Sequence, residues 1–230
     1  MTPERRRRYD PSDMTEPLEQ LRDAVLQGNA PVTATLTGEL LAGGHDPGAL
    51  LKSSLIPAMD EAGRRFEAGE YFLPELLVTA RAMKAAMAQI QPLLAAAGAR
   101  PAGHVVLGTV AGDLHDIGKN LVAAMLEGGG FQVTDLGADV PAERFVAAVH
   151  DAEAEIVGLS ALLSTTMPTM KEIVDALVRA GVRERVRIMV GGAPITTEFA
   201  QRIGADGYAP DASQAVTLAR RFRAQAGGTP

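Results

Sequence analysis

The chain lacks two residue types altogether. None of its 230 residues is cysteine or tryptophan, and aromatic residues make up only 4%. The absence of cysteine excludes disulfide bonds, thiolate zinc sites, iron–sulfur clusters and a cysteine nucleophile. Any metal must therefore be held by histidine, by carboxylates or within a prosthetic group. The cytoplasm is the default location that such a composition predicts.

Long apolar runs and a strong positive charge are also missing. No stretch of about 20 residues is apolar enough to cross a bilayer, and we find no signal-peptide pattern. The net charge of −6 disfavours non-specific binding to nucleic acid or to an anionic membrane surface. The one basic cluster, Arg5 to Arg8, lies in residues 1–15, which we expect to be a disordered tail. We therefore predict neither a nucleic-acid partner nor a membrane partner.

The spacing of apolar residues divides the rest of the chain into two parts. Residues 16–98 show helical spacing only, in four amphipathic segments that predict a four-helix bundle. Residues 99–225 alternate short β-branched runs with helical segments, which predicts a doubly wound parallel sheet of five strands. The predicted fold class is α plus α/β: a helical domain followed by a Rossmann-like, more specifically flavodoxin-like, domain.

The two parts also give the predicted bounds of individual elements. In the first part, Asp46 and Pro47 predict the start of a third helix, Pro57 predicts a kink in it, and Pro74 predicts the start of a fourth. In the second part, we expect strands at 104–110, 131–136, 155–160, 186–190 and 207–209. The helices between and after them are expected at 118–128, 141–151, 167–181, 196–203 and 211–223.

A histidine flanked by an acid and a glycine follows the first predicted strand. The residues in this loop are Gly112-Asp113-Leu114-His115-Asp116-Ile117-Gly118. Loops at the carboxyl ends of parallel strands are where α/β sheets bind ligands. A carboxylate bonded to one ring nitrogen of a histidine fixes its tautomer and strengthens the other nitrogen as a ligand. Gly118, at the start of a helix, allows a bulky group to approach the backbone. The pattern predicts a ligand site, although an ordinary loop histidine would fit it too.

Two further motifs end at the same predicted edge of the sheet. Hydroxyl residues crowd the end of the third strand in Ser160-Ala161-Leu162-Leu163-Ser164-Thr165-Thr166, and Gly191-Gly192 follows the fourth strand. Helix capping would explain one of the hydroxyls, but not all of them. A double glycine alone would be a plain turn. Beside the histidine loop, it predicts one wall of a narrow slot.

Together these motifs resemble the D-x-H-x-x-G, S-x-L and G-G motifs of the cobalamin-binding proteins. That family includes methionine synthase and the corrinoid proteins of methanol, methylamine and glycine betaine methyltransferase systems. Residues 59–74 of this chain are similar to the helical cap that covers the corrin in that family. The resemblance extends from about residue 16 to residue 223, so this range is similar to both the cap domain and the cobalamin-binding domain of methionine synthase.

The resemblance implies a cofactor, cobalamin or a related corrinoid, and a role for each matching residue. His115 would be the axial ligand of cobalt and Asp113 its carboxylate partner, and either Ser164 or Thr166 would complete the relay, with Thr166 at the matching position. Phe66, Leu73 and Leu76 would cover the methyl position, although a plain bundle core would explain them almost as well. The remaining cofactor contacts would be Gly112, Leu114, Asp116, Ile117, Gly118, Ser160, Leu162, Ser164, Gly191, Gly192 and Ala212.

The function that the resemblance implies is that of a methyl carrier, not catalytic by itself. A substrate:corrinoid methyltransferase would load the methyl group onto cobalt, and a second methyltransferase would pass it to tetrahydrofolate or a thiol. A reductive activation protein would be a further partner. A cobalamin-binding sensor or storage module without methyl transfer is the alternative. The methyl donor, the native lower base and the oligomeric state stay open at this stage.

Overall fold

The structure is a computed structural model that describes residues 12–226, with side chains described from residue 16 onward. Residues 1–11 of the predicted tail lie outside the described residues. The first helix begins at Ser12, so the last residues of the predicted tail are helical. Within residues 12–226, no helix has both the length and the apolar character that crossing a membrane requires.

Helices alone form the first part of the chain, called the helical part from here on. Their bounds are α1 Ser12–Leu26, α2 Ala30–Ala42, α3 Pro47–Leu50, α4 Ile56–Glu67 and α5 Leu73–Ala96. A single π-helical turn, Leu51–Leu55, joins α3 to α4. The third helix of the predicted bundle is therefore α3 and α4 together. The irregularity lies just before Pro57, which has no N–H to donate to the preceding turn.

Five parallel strands and five helices form the second part, the sheet part. The strands are β1 His104–Thr109, β2 Gln132–Asp135, β3 Ile156–Ser160, β4 Arg187–Gly191 and β5 Gly207–Tyr208. The helices are α6 Ile117–Gly128, α7 Ala142–Asp151, α8 Met167–Arg179, α9 Thr197–Ile203 and α10 Ala212–Ala226. The strand order is β2-β1-β3-β4-β5, and every pair is parallel. The predicted fold class is confirmed.

This strand order places a crevice between β1 and β3. The chain leaves β1 towards β2 on one side and returns from β2 to β3 on the other, so the loops at the carboxyl ends of β1 and β3 diverge. Ligands bind at such a switch point in doubly wound sheets. The histidine loop follows β1 and the hydroxyl-rich segment follows β3, so the fold brings both to this crevice.

Alternating residues of the strands divide the core into two layers. Val106, Val157 and Ile188 face the layer of α7, α8 and α9, whereas Val105 and Ile156 face the opposite layer with α6 and α10. That second layer is continuous with the core of the helical part. Burying apolar surface is the main stabilising term in folding, so the two parts stabilise each other through one shared core.

Two polar contacts and two close approaches join α4 to the sheet part. The Arg220 guanidinium lies 2.9 Å from the Asp60 carboxylate, and Ser213 Oγ donates a hydrogen bond of 2.9 Å to Glu67. A Cβ at Gly63 would lie 3.3 Å from the Cβ of Ser213, and a Cβ at Gly128 of α6 would lie 2.6 Å from Met59 Cγ. Glycine therefore allows α4 to approach both α10 and α6 closely.

A comparable close approach fixes α7 against β1. A Cβ at Gly108 would lie 2.6 Å from Phe145 Cζ, and Phe145 is fully buried. We expect Gly108→Ala to lower the free energy of unfolding by about 1–3 kcal/mol, because the core has no room for the methyl group. Chemical denaturation measures this loss. In the double variant Gly108→Ala and Phe145→Leu, the smaller side chain makes room for the methyl group, so part of the lost free energy of unfolding should be recovered. If the double variant loses as much as the two single variants added together, the contact between Gly108 and Phe145 is contradicted.

Candidate functional site

A cavity of about 540 Å³ lies at the carboxyl ends of β1, β3 and β4. The sheet part supplies its floor and sides, and two side chains of the helical part, Phe66 and Leu73, contribute to its wall. Of the predicted site residues, those that line it are Phe66, Leu73, Leu114, His115, Asp116, Ile117, Gly118, Ser160, Leu162, Gly191, Gly192 and Ala212. The cavity is where the strand order predicts a ligand.

His115 presents an oriented imidazole to this cavity. Its Nδ1 lies 2.7 Å from Asp113 Oδ1, and its backbone N–H donates a bond of 3.0 Å to the same oxygen. About half of the His115 side chain is exposed, whereas Asp113 is completely buried. Because a carboxylate can only accept this bond, Nδ1 carries the proton, and the lone pair of the neutral ring lies on Nε2, which is the form in which imidazole binds a metal.

The second oxygen of Asp113 is held by the segment that follows β3. Oδ2 accepts bonds from the backbone N–H groups of Leu162 at 2.7 Å and Leu163 at 3.2 Å, and from Thr166 Oγ1 at 2.9 Å. Burial alone would raise the pKa of Asp113. The hydrogen bonds from His115, Leu162 and Thr166 outweigh burial and hold that pKa well below its usual range. Asp113 is therefore an ionised carboxylate at neutral pH.

The sequence left two candidates for the hydroxyl next to Asp113, and the structure distinguishes between them. Thr166 is buried and bonded to Asp113, with Leu163 O a second acceptor at 2.9 Å. Ser164 is exposed and is not among the residues that line the cavity. Within the described chain, the hydroxyl bonded to Asp113 is that of Thr166.

Thr166 itself, bonded to Asp113, lies outside the cavity wall, and so do three other predicted residues. Leu76 is fully buried in the core of the helical part, because its face of α5 points into the bundle, while Leu73 faces the cavity. Asp113 lies behind His115, and Gly112 forms the turn before it with φ +83. Helical spacing identifies the apolar face of α5, but it does not say which apolar residue meets the bundle and which meets a ligand.

The glycines of the two motifs serve different purposes. Gly192 has φ +130, and a Cβ there would lie 1.9 Å from Ala161 O, so the packing of two backbone segments already requires glycine. A Cβ at Gly191 would lie 3.0 Å from Ala209 O. At Gly118 a Cβ would meet no protein atom within 4 Å. Gly118 is therefore the position where a missing side chain leaves space for a ligand rather than for the protein.

Lys119, which belongs to none of the sequence motifs, also lines the cavity. Its side chain is almost fully buried, and Nζ lies 2.5 Å from Asp135 Oδ2 at the end of β2 and 2.6 Å from Asn120 Oδ1. A buried ammonium is stable only when it is paired in this way. Its position in the sequence, directly after Gly118 of the histidine motif, could have indicated that it lies at the cavity. The pair connects the first turn of α6 to β2 beside the histidine loop.

The residues around His115 fit a corrin. Leu114, Ile117 and Leu162 are apolar, yet they are 76%, 66% and 44% exposed at the cavity. A flat macrocycle with apolar faces would cover such side chains. A single imidazole is sufficient as the protein ligand when the macrocycle itself supplies the other ligands of the metal. The cradle at Gly118, which a Cβ would fill, lies beside them.

Comparisons with known proteins agree with this geometry. The chain matches the B12 binding domain over residues 103–217 and a second B12 binding domain family over residues 17–91. The dimethylamine corrinoid protein of Methanosarcina barkeri is 39% identical over 211 residues, which cover 91% of this chain and 98% of that protein. Trimethylamine corrinoid protein 1 of Methanosarcina acetivorans is 40% identical, with 89% of this chain and 96% of that protein covered.

Comparison with solved structures also identifies cobalamin-binding proteins as similar. A cobalamin-binding protein from Desulfitobacterium hafniense DCB-2 aligns with a TM-score of 0.72 at 34% identity, covering 89% of this chain and 98% of that chain. A chain of the methanol:cobalamin methyltransferase complex MtaBC from Methanosarcina barkeri aligns with a TM-score of 0.82 at 29% identity, covering 96% and 86%.

These matches define a cobalamin-binding protein with a helical region before its sheet. Within that class, the chain belongs to the corrinoid proteins of methyltransferase systems. The family that the sequence motifs predicted is confirmed.

Gly118→Val tests the cradle directly. The Cβ of the new side chain would meet no protein atom within 4 Å, so the cofactor-free protein should unfold at nearly the same temperature as the unchanged chain. Affinity for hydroxocobalamin should fall by about 1–3 kcal/mol, roughly five- to 150-fold, because the ligand would be overpacked. Gly192→Ala is the contrasting variant, since it should destabilise the cofactor-free fold itself. Unchanged affinity in Gly118→Val would contradict the cradle.

Proposed function

We propose that this protein is a methyl carrier, which presents a corrinoid-bound methyl group to two different enzymes in turn. The observation that carries the proposal is an imidazole with its Nδ1 held by a buried carboxylate, facing a cavity that the apolar side chains of the helical part cover. Support also comes from relatives named as dimethylamine and trimethylamine corrinoid proteins, and from the similar chain in a methanol:cobalamin methyltransferase complex.

The loop after β1 would hold the cofactor. His115 would bind cobalt through Nε2, with Leu114 and Ile117 against the macrocycle and Gly118 leaving room for it. Ser160, Gly191, Gly192 and Ala212 would surround the part of the cofactor that enters the crevice between the strands. The bound corrinoid supplies a cobalt centre that accepts a methyl group and gives it up again.

Asp113 and Thr166 would control the protonation of the ligand. With Nε2 directed at the cofactor, Asp113 would accept the Nδ1 proton and keep the ring in one tautomer. The ionised Asp113 would also stabilise the ring if Nε2 took up a proton. Thr166 donates to Asp113 and so keeps the carboxylate oriented.

The helical part would act as the cover of the methyl group. Phe66 and Leu73 would keep water away from the upper side of the cofactor, and they would have to move for a partner enzyme to reach it. We propose residues 16–98 as this cover domain and residues 99–225 as the cobalamin-binding domain. The shared core implies that opening requires separating buried apolar surface, which a docking enzyme has to compensate.

The partners would be three. A substrate-specific methyltransferase would load the methyl group, a second methyltransferase would pass it to tetrahydrofolate or a thiol, and a reductive activation protein would restore an oxidised cofactor. Transfer between these enzymes would take place in the cytoplasm.

His115→Ala tests the metal ligand. The variant should still bind hydroxocobalamin through the rest of the cavity. Because it lacks the imidazole that would bind cobalt, it should show a changed absorption spectrum and an altered midpoint potential of reduction. His150→Ala is the matched control, because His150 is an exposed histidine of α7 away from the cavity, and it should match the unchanged protein. Identical spectra for His115→Ala and the unchanged protein would refute the assignment.

A reversible crosslink tests whether the cover has to open. Gly63→Cys with Ser213→Cys would join α4 to α10, since the two Cβ positions lie 3.3 Å apart, within a few tenths of the about 3.5–4.5 Å of a disulfide. The chain contains no other cysteine, so only this bond can form. The oxidised protein should keep its cofactor but should not be methylated by the partner methyltransferase, and reduction should restore methylation.

Three results would count against the proposal. Full methylation of the crosslinked form would refute opening of the cover. Release of a methyl group from a donor by the isolated protein would refute the carrier role, because no partner would be needed. A protein that binds corrinoid but is methylated by none of the methyltransferases encoded beside it would favour the sensor or storage alternative.

A further inference from the structure

Asp139, in the connection between β2 and α7, contacts the histidine loop from behind. Its Oδ1 accepts a hydrogen bond of 2.7 Å from the backbone N–H of Gly112, and its own N–H donates a bond of 3.0 Å to Asp113 O. The two bonds engage consecutive residues of the loop. Asp139 therefore holds the backbone on both sides of the Gly112–Asp113 peptide, next to the Cα from which the Asp113 side chain projects.

Asp139 has an uncommon backbone conformation that serves this contact. Its φ is +55, and in the described part of the chain Glu153, at φ +49, is the other non-glycine residue with positive φ. The left-handed region is unfavourable for an ordinary L-residue, and aspartate is among the residues that tolerate it best. Glycine would fit the backbone more easily, but it would lack the oxygen that Gly112 N–H needs.

The site needs this support because the histidine loop leaves β1 abruptly. Gly112 has φ +83, so the chain turns sharply immediately before Asp113. On the other side, Thr109 Oγ1 donates a bond of 3.0 Å to His115 O. The loop is thus held at both ends, by Thr109 at His115 and by Asp139 at Gly112 and Asp113.

We propose that Asp139 is a positioning residue for the metal ligand: by holding Gly112 and Asp113, it sets the direction in which Asp113 orients the His115 imidazole. Asp139 is exposed and is not among the residues lining the cavity, so it acts through Asp113 and not by touching the cofactor. The inference rests on the proposed function in one respect, namely that His115 binds the cobalt of a corrinoid.

Two substitutions separate the acceptor oxygen from the backbone conformation. Asp139→Gly keeps the positive φ without strain and removes the acceptor, whereas Asp139→Asn keeps an acceptor at the same atom and also tolerates the left-handed region. Glu153→Gly is the matched control, because it relaxes the other positive φ in the loop between α7 and β3, away from the histidine loop.

The first measurement uses the cofactor-free protein. Loss of the acceptor should speed hydrogen exchange at the Gly112 amide by about tenfold, the value expected for one hydrogen bond to a charged group. Asp139→Asn should stay closer to the unchanged protein, and Glu153→Gly should match it. Equal exchange at Gly112 in Asp139→Gly and the unchanged protein would overturn the contact.

The second measurement uses the protein loaded with hydroxocobalamin. Asp139→Gly should weaken binding by about tenfold, the lower end of the range for removing a direct partner of a metal-bound histidine, because Asp139 acts through Asp113. Its absorption spectrum should shift towards that of His115→Ala, and Asp139→Asn should restore both properties. A merely structural loss would lower the melting temperature without shifting the spectrum.

The outcomes distinguish this inference from the proposed function. If His115→Ala changes the spectrum but Asp139→Gly does not, the positioning role is refuted and the metal ligand stands. If Asp139→Asn is as impaired as Asp139→Gly, the hydrogen bond is not the cause and the inference fails. If His115→Ala itself leaves the spectrum unchanged, the proposed ligand fails, while the exchange of the Gly112 amide still reports the contact of Asp139 with the loop.

Discussion

A carboxylate removed from water is costly unless its oxygens are fully hydrogen-bonded, and Asp113 meets that condition by drawing on two separate strand ends. One oxygen is bonded within the loop that follows β1, and the other is bonded by the segment that follows β3. The charge thereby ties together the two loops that diverge at the switch point of the sheet. The tautomer of His115 and the direction of its ring depend on this one buried charge.

The shared core of the two parts is the second constraint. Helices α6 and α10 pack against the sheet on one side and against α4 and α5 on the other. The same arrangement holds Phe66 and Leu73 over the carboxyl ends of the strands. The position of these two side chains at the cavity wall therefore follows from the packing of the core.

The sequence predicted the order and kind of the elements because their apolar spacing is regular. It also predicted that His115, Ser160 and Gly191 would converge, since parallel strands end at a common edge. It did not separate Leu73 from Leu76, because periodicity records an apolar face and not what that face meets. Thr166 and Ser164 could be told apart only by distance to Asp113, and Asp139 depends on a backbone angle that no local pattern specifies.

The exposed apolar side chains at the cavity affect how soluble the protein is before it binds its cofactor. Leu114, Ile117 and Leu162 present apolar surface to water until a ligand covers them. A newly synthesised chain without its cofactor would thus expose an apolar patch that favours association with other chains. Cofactor supply would govern the solubility of this protein as well as its activity. When more protein is made than there is corrinoid to fill it, the cofactor-free molecules would be the ones that self-associate and are degraded by proteases most readily.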